Sequence, residues 1–358
     1  MPWAKVCFSS PPDNPIGAPL GIILPVLQPT AQSEARLGAG KGAVGLGEGV
    51  LTASPMSKSK PHVLVMINPG ASRAEAAVPA LSSWFSENCH ALIVVANSKK
   101  ERKRELKAHG KKADLIVIGG GDGTISKALP QLLKLKKPVA VLPLGTANDF
   151  ARTIGLPADP LQAAEVALSG RKRRIDVGMV NERPYLNVAS VGAATKVAKA
   201  QSKELKQKWR VFAYVIGLLR AVRDLQPFFV DLAIDGKPAW SGPVYQVSIG
   251  NGRYHGSGLA VAEDAAIDDG KLDLYLIYPG TFWQLFACVI HLKFGWARPE
   301  VLKKLSGITV GLRTHRSRAV DVDGRLATKT PAEFGLLPKA LTVIVPQTLP
   351  PDHRGLRS

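Results

Sequence analysis

The sequence predicts an α/β domain built on a parallel sheet, followed by a mostly β domain of sandwich or barrel type. Three features carry this expectation. From residue 63, short apolar runs alternate with helical segments, the pattern of a parallel sheet with helices on both faces. After Ser169-Gly170, strand-like runs follow one another with two helical interruptions. Glycine-rich turns directly follow the apolar runs of the first half, where open α/β sheets bind ligands.

The chain has 358 residues, long enough for two modest domains. Residues 1–57 carry Lys5, Arg36 and Lys41 against Asp13, Glu34 and Glu48, and lack a sustained helix or strand period, so they read as a poorly ordered extension. Their Gly40–Gly45 stretch matches GxGxxG only formally, with no preceding strand. Met56 opens the organised sequence and is a candidate natural start. The first domain is expected over 58–183: strand Val63–Asn68, a helix to about Asn88, strand Leu92–Ala96, helix Lys99–His109, strand Leu115–Ile118, helix Thr124–Lys134 and strand Val139–Pro143.

The second domain is expected over 184–350, with 351–358 as a tail. Strands are expected at Ile175–Asn181, Tyr185–Val191, Phe229–Ile234, Val244–Ile249, Leu272–Ile277, Ile308–Leu312, Ala319–Val322 and Leu341–Val345. Helical inserts are expected near 195–224 and 281–305.

The net charge is +19, all of it in residues 58–358, which calls for an anionic partner. Cys7, Cys89 and Cys288 lie far apart, arguing against a zinc site or disulfide scaffold and fitting a reducing compartment such as the cytoplasm. No uninterrupted apolar run reaches the roughly 18 residues of a membrane span.

Gly119-Gly120-Gly121-Asp122-Gly123-Thr124 follows an apolar strand and opens a helix. Its glycines let backbone approach a ligand, and its N–H groups with the helix N-terminus form a nest for phosphate. The alternative is an ordinary tight turn, which needs fewer glycines. The next strand ends in Gly145-Thr146-Ala147-Asn148-Asp149, more polar residues than capping alone requires. Asn68-Pro69-Gly70-Ala71-Ser72 ends the first strand on the same edge.

GGGDGT, then PLGTANDFAR, then Asn251-Gly252 with Gly256 and Gly258, then AAIDDGKLD over 265–273, resemble the diacylglycerol-kinase catalytic-domain family, in its YegS-type branch of bacterial lipid kinases. The resemblance covers roughly residues 60–348. It implies a Rossmann-like first domain, similar to NAD kinase and phosphofructokinase, that binds ATP, and a second domain that holds the lipid. It places Gly119, Gly120, Gly121, Asp122, Gly123, Thr124, Thr146 and Asn148 at the nucleotide, with Asn68 close by and Asn97 or Ser98 where the family has a threonine. Asp269, with the carbonyls of Ala266 and Lys271, corresponds to a structural Mg²⁺ site; read without the resemblance, Asp268-Asp269-Gly270 is a solvated acidic turn.

At the family's Asp-Gly-Glu motif this chain reads Asp323-Gly324-Arg325, so Arg325 stands where the family has its general base. Guanidinium does not accept a proton at physiological pH. Two readings follow. Either ATP-dependent transfer to a glycerolipid (diacylglycerol or phosphatidylglycerol) or long-chain lipid survives, with Asp323 or Asp122 taking the proton, or the chain is a catalytically impaired regulator that binds nucleotide or lipid.

Basic clusters at 99–112, 134–137, 171–174, 196–210 and 313–318 are solvated faces or meet an anionic membrane at its cytoplasmic side. The amphipathic stretches around Trp209 and around Trp283 face either the core or a bilayer. With no interleaved aromatic platform or recognised motif, nucleic acid is not an expected partner.

Overall fold

The computed structural model describes residues 60–192, 226–251, 254–255, 259–260, 266–281, 283–285, 287–288 and 300–349. The expectations for residues 1–57, the insert near 195–224, Gly252, Gly256 and Gly258, residues 282, 286 and 289–299 of the stretch around Trp283, and the tail 351–358 lie outside the described residues.

The first lobe runs β1 (His62–Ile67), α1 (Ala74–Asn88), β2 (His90–Val95), α2 (Lys99–His109), β3 (Leu115–Gly120), α3 (Asp122–Leu135), β4 (Val139–Pro143), α4 (Asp149–Thr153) and α5 (Pro160–Ser169). Its strands lie parallel in the order β2-β1-β3-β4. The continuous apolar runs follow from burial on both faces. In β1, Val63, Val65 and Ile67 join the core containing Leu81 and Phe85 of α1, while Leu64 and Met66 join that of Leu106 of α2 and Ile125 and Leu129 of α3. Each such side chain contributes about 1.5–3 kcal/mol by leaving water. Helix ends are set locally: Ser98 accepts the Glu101 N–H at 3.1 Å while Glu101 reaches back to the Asn97 N–H at 2.9 Å, a variant of the capping box.

The second lobe comprises β5 (Arg171–Val180), β6 (Arg183–Tyr185), β7 (Val188–Gly192), β8 (Phe228–Ile234), β9 (Lys237–Val244), β10 (Gln246–Gly250), β11 (Tyr254–His255), β12 (Leu259–Ala260), β13 (Leu272–Ile277), β14 (Leu302–Gly307), β15 (Val310–Thr314), β16 (Ala319–Val322), β17 (Arg325–Lys329) and β18 (Ala332–Val345). One antiparallel sheet orders β14-β13-β10-β7-β16-β17. It packs against β18-β15-β8-β9, which continue the first lobe's sheet. The shared core mixes Val191, Val247 and Leu274 of one layer with Val230, Leu312 and Phe334 of the other, which makes this lobe a sandwich.

Strand β18 belongs to both lobes. Its start pairs with β15, Val343 pairs in parallel with Val139 of β4, and β5 runs antiparallel along its other edge. The register shifts between Leu337 and Leu341, where Lys339 takes a positive φ. The buried Asp176 carboxylate holds that irregularity, accepting the Lys339 and Gly270 N–H groups at 2.7 Å each.

Some boundaries differ from expectation. The 281–305 segment was expected helical, but Leu302–Leu305 lies in β14, paired with β13. Its Leu-Lys-Lys-Leu spacing suits a helix, and the free edge of β13 overrides that preference. Tyr185–Val191 is not one strand: Leu186-Asn187 breaks it into β6 and β7. Strands β9 and β17 carry too many Gly, Pro and charged residues to read as strands.

Candidate functional site

The three loops after β1, β3 and β4 meet at the C-terminal edge of the parallel strands. Asn68 donates its N–H to the Gly119 carbonyl at 2.9 Å and its side-chain amide to Thr124 Oγ1 at 3.0 Å. Ser72 and Arg73 both bond the Leu144 carbonyl, and Thr146 Oγ1 donates to Ser72 Oγ at 3.4 Å. The loops approach so closely that a Cβ on Gly145 would lie 2.5 Å from the Gly121 Cα. Only glycine fits there.

The expected phosphate residues divide into two groups. Gly121 is the N-cap of α3, so that helix's N-terminal N–H groups open at the loop junction. Thr124 is buried behind them and held by Asn68. Asn148, with φ 52°, closes a ring with Gly145, accepting its N–H at 2.9 Å and donating to its carbonyl at 2.8 Å. Asn148 thus shapes the loop. Asp122 does the same: its oxygens accept the Asp149 and Phe150 N–H groups at 3.1 and 2.8 Å, capping α4, and Asn187 reaches it at 3.4 Å. Asn97 lies exposed ahead of α2, and Ser98 is occupied as that helix's cap.

Across the lobes, Asp323-Gly324 forms the two-residue turn of the β16–β17 hairpin, with φ of 46° and 78°. Both values are positive, as a type I′ turn requires. The Asp323 carboxylate accepts the N–H groups of Leu186 at 3.1 Å, Asn187 at 3.0 Å and Val188 at 3.2 Å, and bonds the Ser126 hydroxyl. Burial pushes its carboxyl above the ordinary value, against the pull of those donors. Arg325 donates through Nη2 to Ser126 Oγ at 2.7 Å, tying the hairpin to α3. In this arrangement the oxygens of Asp122 and of Asp323 are occupied by N–H donors.

The Asp268-Asp269-Gly270 turn is also locally tied. Asp268 pairs with Arg173 at 2.6 Å, and Asp269 accepts the Lys271 N–H at 3.0 Å. Gly270 has φ 74° and bonds Asp176, while Ala266 is buried beneath the turn. Among the described residues no three His, Cys, Asp or Glu side chains cluster around a point. The structure brings Asn68, Gly119–Thr124, Thr146 and Asn148 together. It sets Ser72 of the first loop beside Thr146, and it adds Ser126 and Asn187, which the sequence reading did not single out. Asn187 carried a signal, as a polar residue inside the apolar run 185–191.

Comparison with known proteins gives a consistent picture. Residues 62–180 match the model for the diacylglycerol kinase catalytic domain, and residues 187–345 match that for the YegS C-terminal NAD kinase beta sandwich-like domain. A protein of Enterobacter sp. named "Probable lipid kinase YegS-like" is 30% identical over 68% of this chain and 81% of its own length. The diacylglycerol kinase of Staphylococcus carnosus is 26% identical over 76% of this chain and 89% of its own. The chain spans about half the length of two further YegS-like relatives, 53% in Chromohalobacter salexigens at 36% identity and 55% in Klebsiella pneumoniae at 34%. The fold is shared with the crystal structure of a diacylglycerol kinase from Bacillus anthracis, with a TM-score of 0.63 at 22% identity, covering 81% of this chain and 98% of that one.

Proposed function

Because the chain belongs to the diacylglycerol-kinase catalytic-domain family, in its YegS-like lipid-kinase branch, we propose that it transfers the γ-phosphoryl group of ATP to a lipid hydroxyl. The acceptor is a glycerolipid, diacylglycerol or phosphatidylglycerol, or a long-chain lipid. The observation that carries this reading is the junction of the three loops, where Gly121 and Gly145 touch and the α3 N-terminus opens. Such a junction offers oriented N–H groups to phosphate oxygens with no side chain in the way.

Phosphoryl transfer is largely positioning and charge neutralisation. The acceptor oxygen bonds to the γ-phosphorus, the bond to the β–γ bridging oxygen breaks, and the hydroxyl proton passes to water or a carboxylate. The α3 N-terminus and Thr124 hold the phosphates, with Asn68 fixing Thr124. Asn148 and Asp122 keep the two glycine loops in contact. An all-oxygen set of Asp269 with the Ala266 and Lys271 carbonyls suits Mg²⁺, which would brace the turn held by Asp176. A lipid acceptor brings the protein to a membrane surface, at the cytoplasmic face, and the positive charge favours an anionic one. No helix among the described residues is long and apolar enough to cross a membrane, which suits peripheral contact.

A second reading, an impaired nucleotide- or lipid-binding regulator, is favoured by one specific observation. Arg325 occupies the family's base position and is bonded to Ser126, while Asp122 and Asp323 are held by N–H groups. Incubation with labelled ATP and Mg²⁺ over a lipid panel, with Arg325→Glu beside the wild type, separates the two. Labelled lipid from the wild type supports the kinase. Product from Arg325→Glu alone contradicts it and establishes the regulator.

A further inference from the structure

A cavity of about 310 Å³ lies beside Arg325, between helices α2 and α3 and the β16–β17 hairpin. Neither the Asn68–Ser72 loop, the Gly119–Thr124 loop nor the Gly145–Asn148 loop lines it. Six cations do: Lys99, Arg102, Lys103, Lys127, Arg183 and Arg325, against the single carboxylate of Glu182. Among the described residues none of the six forms an ion pair. From this we propose that the cavity is a second oxyanion site, separate from the glycine loops, that takes a phosphate group.

A solvated cationic helix face is the plainer explanation for Lys99, Lys103 and Lys127, which are exposed. It does not explain the inner wall. Arg102 is buried, held by one 2.9 Å bond to the Ala96 carbonyl and a 3.5 Å contact to Asn68. Arg325 gives Nη2 to Ser126, and its Nε is buried with no acceptor among the described residues. Among the described residues Arg102 has only its neighbour Glu101 as a nearby opposite charge, and the shielded Arg325 Nε has no acceptor, which is costly. An oxyanion between them satisfies the open donor and lowers the repulsion among all six. Guanidinium pairs match phosphate geometry, and the exposed lysines supply the outer charge. Leu326, 65% exposed, stands next to Arg325 at the rim, so the entrance offers an apolar contact beside the charge. Two sources present this chemistry: the phosphate of an anionic phospholipid headgroup, or a free phosphate.

The test uses the full chain and a Lys103→Glu/Lys127→Glu variant, with Lys103→Arg/Lys127→Arg as the charge-conserving control. Pyrophosphate binding is measured by calorimetry with a saturating non-hydrolysable ATP analogue present, which fills the glycine loops. Sedimentation is measured in parallel with phosphatidylglycerol/phosphatidylcholine vesicles and with phosphatidylcholine vesicles alone. The expected result is anion binding that persists with the analogue present, weakens about tenfold in the Glu variant and is retained in the Arg variant. Variant-sensitive pyrophosphate binding without vesicle preference assigns the site to free phosphate; variant-sensitive preference for the anionic vesicles assigns it to a headgroup. Anion binding that the analogue abolishes, that is equal in both double variants, or that is absent from both arms overturns the proposal. Unchanged binding of the ATP analogue by the Glu variant establishes that it is folded, and this also separates failure of the cavity site from failure of the kinase reading.

Discussion

The Gly119–Thr124 loop and the Asp323–Arg325 hairpin each set an aspartate beside a glycine, and each aspartate accepts backbone N–H groups from another segment. Asp122 caps α4 and so holds the two glycine loops together, leaving the α3 N-terminus open toward a ligand. Asp323 fastens the hairpin to Leu186–Val188, and the next side chain is a guanidinium turned onto α3. Under the proposed function, this difference falls at the position where the resemblance expects the family's base. On the proposed kinase reading the glycine loops offer oriented N–H groups to phosphate, while the opposing turn carries a guanidinium where the resemblance expects a carboxylate.

That contrast can be broken from either side. The largest effect is expected from Asp323→Ala, which strands three N–H groups and the Ser126 hydroxyl together. Each unsatisfied donor costs about 1–3 kcal/mol, so chemical denaturation should register a loss of about 3 kcal/mol or more. Unchanged stability would mean that the hairpin is not held by this carboxylate. Gly145→Ala comes next, because its Cβ would meet the Gly121 Cα at 2.5 Å and Asn148 Oδ1 at 2.9 Å. It should cost about 1–3 kcal/mol through overpacking, and nucleotide binding should fall with it.

A smaller effect concerns pH. The Asp323 carboxyl is raised in the folded protein, so the native state binds its proton more tightly than the unfolded chain does. Its contribution is fully present below the unfolded carboxylate value of about 3.9 and is lost as pH rises through the native one. The Tm of Asp323→Asn relative to wild type should therefore improve as pH rises from 4 upward, as thermal melts across a pH series will measure. The smallest effect expected is none: burial pushes the Cys89 thiol up to about 11 and that of Cys288 up to about 12. Neither should be alkylated by iodoacetamide in the native protein at neutral pH, as read by mass spectrometry.

Much of the first lobe was legible because burial on both faces writes each strand as an unbroken apolar run. Helix α2 and strand β4 fall where the periodicity placed them, and so does β13 in the second lobe. The glycine loops were legible because four glycines around one aspartate exceed the needs of a turn. The second lobe was less so. Strand β14 reads as a helix until β13 is there to pair with, and β17 begins at an arginine whose partner, Ser126, lies 199 residues earlier. The bonds that occupy Asp122 and Asp323 also join segments far apart in sequence, spanning 27 to 137 residues. Motif reading names such residues and does not reveal what holds them.

The most direct measurement is the ATP affinity of Gly123→Ala beside wild type, with Tm recorded for both. A Cβ at Gly123 meets nothing within 4 Å in the protein, so stability should change little. If phosphates lie against the α3 N-terminus, that methyl intrudes on them, and affinity should fall about tenfold or more, equivalent to roughly 1.4 kcal/mol. Equal ATP affinity in the two proteins would contradict the placement of the nucleotide at the glycine loops.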